Sequence, residues 1–133
     1  MLAAELRVVL GQFIRRLRVE NRFPLMHGTV LGRLDREGPL STADLAAAER
    51  VRQQSMAQTV SELESQGLIT RSPDPSDKRR TLLELTDEGR SVLIEDRRRR
   101  EGWLAGAIEG ELSVDEQDTL NEAVRLLARL TEL

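Results

Sequence analysis

The sequence predicts a mainly α-helical fold carrying one small β-hairpin wing, and three observations predict it. Apolar residues recur at intervals of three and four through most of the chain, the signature of helices with one buried stripe. Between Leu68 and Leu85 the period changes to two short β-prone runs. Helix-start residues stand ahead of the apolar stripes at Ser41, Thr86 and Ser113. The 133 residues suit one domain, and 39% hydrophobic with 32% charged residues leaves enough apolar material for a core.

Taken in order, Leu2, Leu6, Val9, Leu10, Phe13 and Leu17 form one long stripe, with Arg15, Arg16 and Arg18 off it. Pro24 suits the first turn of a second helix, whose apolar positions Val30, Leu31 and Leu34 run until Gly38 and Pro39 stop it. Ser41 and Asp44 make an acidic variant of the capping box, and Leu40 and Leu45 stand where a hydrophobic staple would, so a short helix runs from Thr42 to about Ala48. After a turn at Arg50 to Arg52, Met56, Val60 and Leu63 line a helix from Gln53 to Gln66, and Gly67 supplies its stop. The runs Leu68 to Ser72 and Thr81 to Leu85 read as a hairpin with a long tip containing Pro73 and Pro75, flanked by Lys78, Arg79 and Arg80. Thr86 caps a long helix, Asp87 to Glu109, with Val92, Leu93, Trp103, Leu104, Ala107 and Ile108 on its stripe. Ser113 and Glu116 form a full capping box ahead of Leu120, Ala123, Val124, Leu127 and Leu130.

Three helices followed by a two-stranded hairpin is the arrangement of a winged helix-turn-helix, in which the short third helix and the fourth form the reading unit. The expected organisation is a single domain, residues 1–133. Residues 24–86 hold the winged helix-turn-helix, with its wing at about 68–85, and residues 1–22 and 87–133 hold helices that bury one another against a second copy of the chain.

Composition removes several chemistries. With no cysteine there are no disulfides, thiolate metal sites or thiol nucleophiles, which suits a reducing cytoplasm. One histidine and no tyrosine leave little for acid–base catalysis or metal ligation, and no nucleophile–base pair or glycine-rich phosphate loop is present. The expected function is therefore non-enzymatic, without cofactor or metal. No apolar run approaches a membrane span, and Met1 to Leu10 carries Glu5 and Arg7 where a signal peptide would be apolar. The net charge of −3 argues against a nucleic-acid partner only as an average. From Arg50 to Arg80, six basic residues face four acidic ones, a local +2, whereas Glu109 to Leu133 carries a local −5. An anion would meet the middle of the chain.

The wing carries a family resemblance. Asp77, Lys78 and Arg79, then Leu83, Leu85, Thr86 and Gly89, resemble the signature of the multiple antibiotic resistance regulator (MarR) family: Asp-x-Arg, an apolar strand, Leu-Thr and a glycine. Val60, Leu63, Gly67, Leu68 and Ile69 resemble the same family's reading helix and its exit into the wing. The resemblance implies a homodimeric regulator of transcription, a repressor of a pseudo-palindromic operator in double-stranded DNA, with a reading helix in each of two successive major grooves. It also implies release by a small-molecule effector held in a cleft near the start of the second helix, where His27 is the candidate contact.

The residues fit that reading on physical grounds. Gln53, Gln54 and Gln58 can address adenine bidentately, and Ser55 and Thr59 can bond a base edge or a phosphate. Arg52, with Arg50, precedes the helix where it would lie against the DNA backbone, and the helix N-terminus offers free N–H groups. Glutamines are also ordinary solvent-facing helix formers, and the helix alone leaves both readings open; the wing decides between them. By resemblance Arg79 enters the minor groove, Lys78 and Arg80 meet phosphates, and Asp77 holds Arg79 or a nearby arginine through a charge-assisted bond. The run Arg97 to Arg100 points all around its helix, so a structural or intersubunit role is expected there, and Trp103 is expected to anchor the core or the subunit interface. The competing reading is a winged-helix module that grips a protein, which would call for an apolar or acidic face where Gln54, Gln58 and Arg79 stand.

Overall fold

A computed structural model describes residues 1–133. The elements run α1 (Leu2–Arg18), α2 (Leu25–Glu37), α3 (Thr42–Glu49), α4 (Gln53–Ser65), β1 (Ile69–Asp74), β2 (Asp77–Leu85), α5 (Asp87–Glu111) and α6 (Val114–Leu130). This is the mainly helical, single-hairpin architecture of a winged helix-turn-helix. No helix is long and apolar enough to cross a membrane.

The core lies where α2, α3, α4, the hairpin and the start of α5 converge. Val30, Leu31, Leu45, Met56, Val60, Leu63 and Leu83 are fully enclosed there, and Leu68, Ile69 and Leu93 complete the cluster. Fully burying each such side chain contributes about 1.5–3 kcal/mol, so this cluster holds the reading unit together. By contrast α1 and α6 bury no residue at all, although both are strongly amphipathic.

Two tight turns set the angle at which α4 leaves the core. At the end of α3, Arg50 N–H bonds Ala47 O at 3.3 Å and Val51 N–H bonds Ala46 O at 3.0 Å, which forces Arg50 to the left-handed φ of 55°. At the end of α4 the same pair of bonds recurs, from Gly67 to Glu64 and from Leu68 to Leu63, both at 3.0 Å, and here the left-handed residue is glycine, with φ of 76°. Gly67 is thus the expected stop.

The wing departs from the expected long tip. β1 and β2 pair antiparallel from Ile69↔Leu85 to Pro73↔Thr81, and after one irregularity Asp74 faces Asp77, leaving Pro75 and Ser76 as the whole turn. Prolines usually break strands because they cannot donate to the ladder, but both strands of a two-stranded ribbon are edges, where a proline can face away from its neighbour. Asp77 to Arg80 consequently belong to a strand rather than to a loop. A third segment joins the hairpin: Leu40 exchanges backbone bonds with Leu83, at 3.2 and 2.7 Å, so the entry to α3 is fastened to the wing.

The joint between wing and α5 explains the Thr86 and Gly89 of the signature. Thr86 Oγ1 accepts from Gly89 N–H at 3.0 Å and donates to Gly67 O at 2.7 Å, while Thr86 N–H bonds Leu68 O at 3.1 Å. α5 thereby presses so closely on the α4 exit that a Cβ on Gly89 would stand 2.1 Å from Leu68 O.

Candidate nucleic-acid interface

Helical geometry divides α4 into two faces. Met56, Val60 and Leu63 are buried, which turns Gln54 and Gln58 to solvent on the opposite side. Arg52, Gln53 and Ser55 are exposed at the start of the helix, and Thr59 is half-buried at the margin of the core. No side chain caps the N-terminus of α4, so its first-turn N–H groups remain available to an incoming acceptor.

The wing brings its cations beside this helix end. Ser41, Thr42, Asp44, Gln53, Arg79 and Arg80 line one groove of about 450 Å³ between the starts of α3 and α4 and strand β2. One carboxylate oxygen of Asp77 accepts from Arg79 N–H at 3.0 Å and from Arg79 Nε at 3.4 Å. The Arg79 side chain remains 92% exposed, its guanidinium held only at Nε. Lys78 is exposed as well.

Arg80 is placed differently from the free phosphate partner expected. Its guanidinium donates to Asp44 Oδ2 at 2.5 Å and to Ser41 Oγ at 3.3 Å, and its Nε lies 3.8 Å from Asp74. The Ser41 N–H holds the Asp44 carboxyl below the usual carboxylate range, and Arg80 adds to the effect. The Asp74 carboxyl is held low by the hydroxyl and N–H of Ser76, which it accepts in the wing turn.

His27, the expected effector contact, lines none of the hollows beside α2. Its ring is buried between α2 and α4, with Nε2 2.7 Å from Glu62 Oε2, because the helical period that sends Val30, Leu31 and Leu34 inward also turns position 27 toward the core. The hollows nearest α2 open instead toward α1 and α5. One of about 380 Å³ is lined by the apolar Ile14, Leu17, Leu25 and Leu104 together with Arg18, Arg100 and Glu101. A second of about 260 Å³ adjoins it, sharing Asn21, Leu25 and Arg100.

Two of the four arginines of the run Arg97 to Arg100 are paired within the chain. Arg97 reaches Asp35 of α2 at 3.4 Å, and Arg100 reaches the buried Asp96 at 3.3 Å and Asn21 at 3.5 Å. These bonds tie α5 to α2 and to the exit of α1. Trp103 packs edge-on to Phe13, with ring centres 6.4 Å apart, and Arg16 lies 4.0 Å above its ring, so it anchors α1 on α5. Two features escaped sequence reasoning. Asp44 was legible as a cap, but its partner Arg80 stands 36 residues away, and Glu62 gave no sign that it would meet His27.

Comparison with known proteins agrees with this geometry. The sequence model of the MarR family matches residues 26–81, from α2 to the middle of the wing. Over 98% of its length the chain is 31% identical to an HTH-type transcriptional regulator of Mycobacterium tuberculosis, covering 93% of that protein. The crystal structure of a transcriptional regulator protein of Pseudomonas aeruginosa superposes with a TM-score of 0.87 at 40% identity, covering 99% of this chain and 94% of that one. A shorter stretch, 42% of this chain and 35% of the relative, is 39% identical to the HTH-type transcriptional repressor NicR of Pseudomonas putida.

Proposed function

The chain belongs to the MarR family of DNA-binding transcriptional regulators, and from that membership we propose that it acts in the cytoplasm as a homodimeric repressor of a pseudo-palindromic operator. Each α4 lies in a major groove, with half-site centres about 34 Å apart, one turn of the duplex. Gln54 and Gln58 read base edges. Gln53, Ser55 and Thr59, with Arg52 beside the open N–H groups, hold the helix to the backbone. Arg79 enters the flanking minor groove, and Lys78 meets a phosphate. Residues 24–86 carry this reading head, and residues 1–22 and 87–133 carry the dimer contact. The observation that carries the proposal is the groove in which Gln53, at the start of α4, meets the wing: the helix that presents an exposed polar face begins beside an arginine 92% exposed and oriented by the carboxylate of Asp77.

Selection of bound duplex from a random-sequence pool tests it. The recovered site is expected to be pseudo-palindromic, with preference relaxed at one position per half-site by Gln54→Ala or Gln58→Ala, each at a cost of about 1–3 kcal/mol against the best site. Affinity is expected to fall steeply with salt. Salt-independent binding, or retention of no sequence, would transfer the same surface to a protein partner.

Release of the operator follows from the hollow beside Arg100 rather than from His27. Apolar walls of Ile14, Leu17, Leu25 and Leu104 with Arg18 and Glu101 at the same hollow suit a small molecule with an apolar body and a polar group, and such an effector would wedge α1 against α5 and change the separation of the two reading heads. Arg18→Ala, which removes the hollow's other cation, is expected to abolish release while leaving operator affinity of the unliganded dimer within a few-fold.

A further inference from the structure

Of the four basic residues of the wing, Arg71 pairs with Glu64 at the exit of α4 and Arg80 pairs with Asp44 of α3. Arg80 lies in the outer half of the hairpin, beyond the point where Leu40 and Leu83 fasten the wing to the entry of α3. It reaches back across 36 residues to Asp44 and 39 residues to Ser41, whereas the carboxylate nearest Arg79 is Asp77 on its own strand. Asp44 is a prepared acceptor. Its other duty, accepting Ser41 N–H at 3.1 Å in the capping box, already fixes its rotamer and its charge. Pairing with a group held in this way costs less ordering than pairing two free side chains.

We infer that Arg80 is a positioning residue: clamped to Asp44 and Ser41, it fixes the tip of the wing, and with it Arg79, at one distance from the first turn of α4, and does not itself neutralise a phosphate. The inference rests on the reading of α4 and the wing as the DNA-binding surface. Its physical basis is that a two-stranded hairpin is marginally stable alone and would swing about its attachment at Leu83. Arg79 would then pay an ordering cost each time it entered a groove, and the clamp meets that cost within the free protein. A charge consequence follows. Because Asp44, Ser41 and Asp74 take up the guanidinium of Arg80, whereas Arg79 meets Asp77 only through Nε and is 92% exposed, the wing contributes Lys78 and Arg79 to counterion release and Arg80 contributes nothing.

Titrations of a duplex recovered from the random pool, at several salt concentrations, separate a clamp from a phosphate contact. Arg80→Ala and Asp44→Asn are each expected to weaken binding about three- to tenfold with the salt slope unchanged, and the double variant to be no weaker than either single one. Arg79→Ala is expected to lower the slope by about one. Were Arg80 on a phosphate, Asp44→Asn would release it and tighten binding while Arg80→Ala would reduce the slope; either result overturns the inference. Amide hydrogen exchange in the DNA-free protein reads the clamp independently. Both substitutions are expected to accelerate exchange across residues 77–82 while leaving Val60 and Leu63 protected, and unaltered exchange in the wing overturns the clamp whether or not a duplex is bound. A protein that retains no duplex yet shows the accelerated exchange keeps the clamp and loses only the DNA reading.

Discussion

At the scale of single residues, the least replaceable position is Gly89. A Cβ there would stand 2.1 Å from the carbonyl oxygen of Leu68 and 3.0 Å from Leu85, and the nearest of these is backbone that cannot rotate aside. Gly89→Ala must therefore push α5 off the α4 exit, breaking the Thr86 bonds to Gly67 and Gly89. The expected cost is about 3 kcal/mol, near the upper end of core overpacking, read as a shift of the urea midpoint. Asp44 makes a prediction of another kind. Its carboxyl is held low by Ser41 N–H and by Arg80, so its contribution to stability is complete above the ordinary carboxylate pKa, about 3.9, and is lost as pH falls through the lower folded value. Thermal melts taken from about pH 5 downward should show this loss, and Asp44→Asn should flatten that limb of the profile while lowering stability at neutral pH. A profile unchanged by the substitution would mean that Asp44 titrates alike in folded and unfolded chains.

At the scale of elements, the helices were legible because their signals are local. Capping boxes at Ser41 and Ser113, a glycine at position 67 and stripes at three and four are each complete within a few residues, and α3 and α6 start, and α4 stops, where those signals place them. The wing was legible in its existence and not in its length, because Pro73 reads locally as a breaker and only the absence of a third strand beside it makes it tolerable. The same distinction separates the site residues. The exposed face of α4 follows from its period, whereas the fate of His27 and Arg80 depends on partners 35 and 36 residues distant, which no spacing rule connects. The two capping boxes turn this into a measurement. Ser113→Ala removes an exposed cap and should cost about 1 kcal/mol. Ser41→Ala removes a buried hydroxyl that also accepts from Arg80, so it should cost about 2 kcal/mol and loosen the wing. Equal losses in urea denaturation would mean that α3 and the wing are not coupled through Ser41.

At the scale of the whole molecule, the distribution of burial is the fact to be explained. Only 17 of 133 residues are buried, all outside α1 and α6, while Val9, Leu10, Phe13 and Ile14 on one terminal helix and Leu120, Val124 and Leu130 on the other are more than a third exposed. Two amphipathic helices at opposite ends of the chain, each with an open apolar stripe, are the surfaces that the proposed dimer would cover. The acidic charge that lowers the chain's overall balance falls on the same C-terminal segment, away from the groove of α4 and Arg79, so the net −3 and DNA binding are compatible. Association stabilises by mass action, so the melting temperature should rise with protein concentration. Val124→Glu places a charge in the stripe of α6 and should give a monomer by sedimentation, with operator affinity reduced about a hundredfold because the second half-site is no longer bound at high effective concentration. The fold of the reading head should survive, since Val124 takes no part in the core of α2 to α5. A concentration-independent melt, or a Val124→Glu variant that stays dimeric and keeps full affinity, would place the subunit contact elsewhere and leave the two stripes without an occupant.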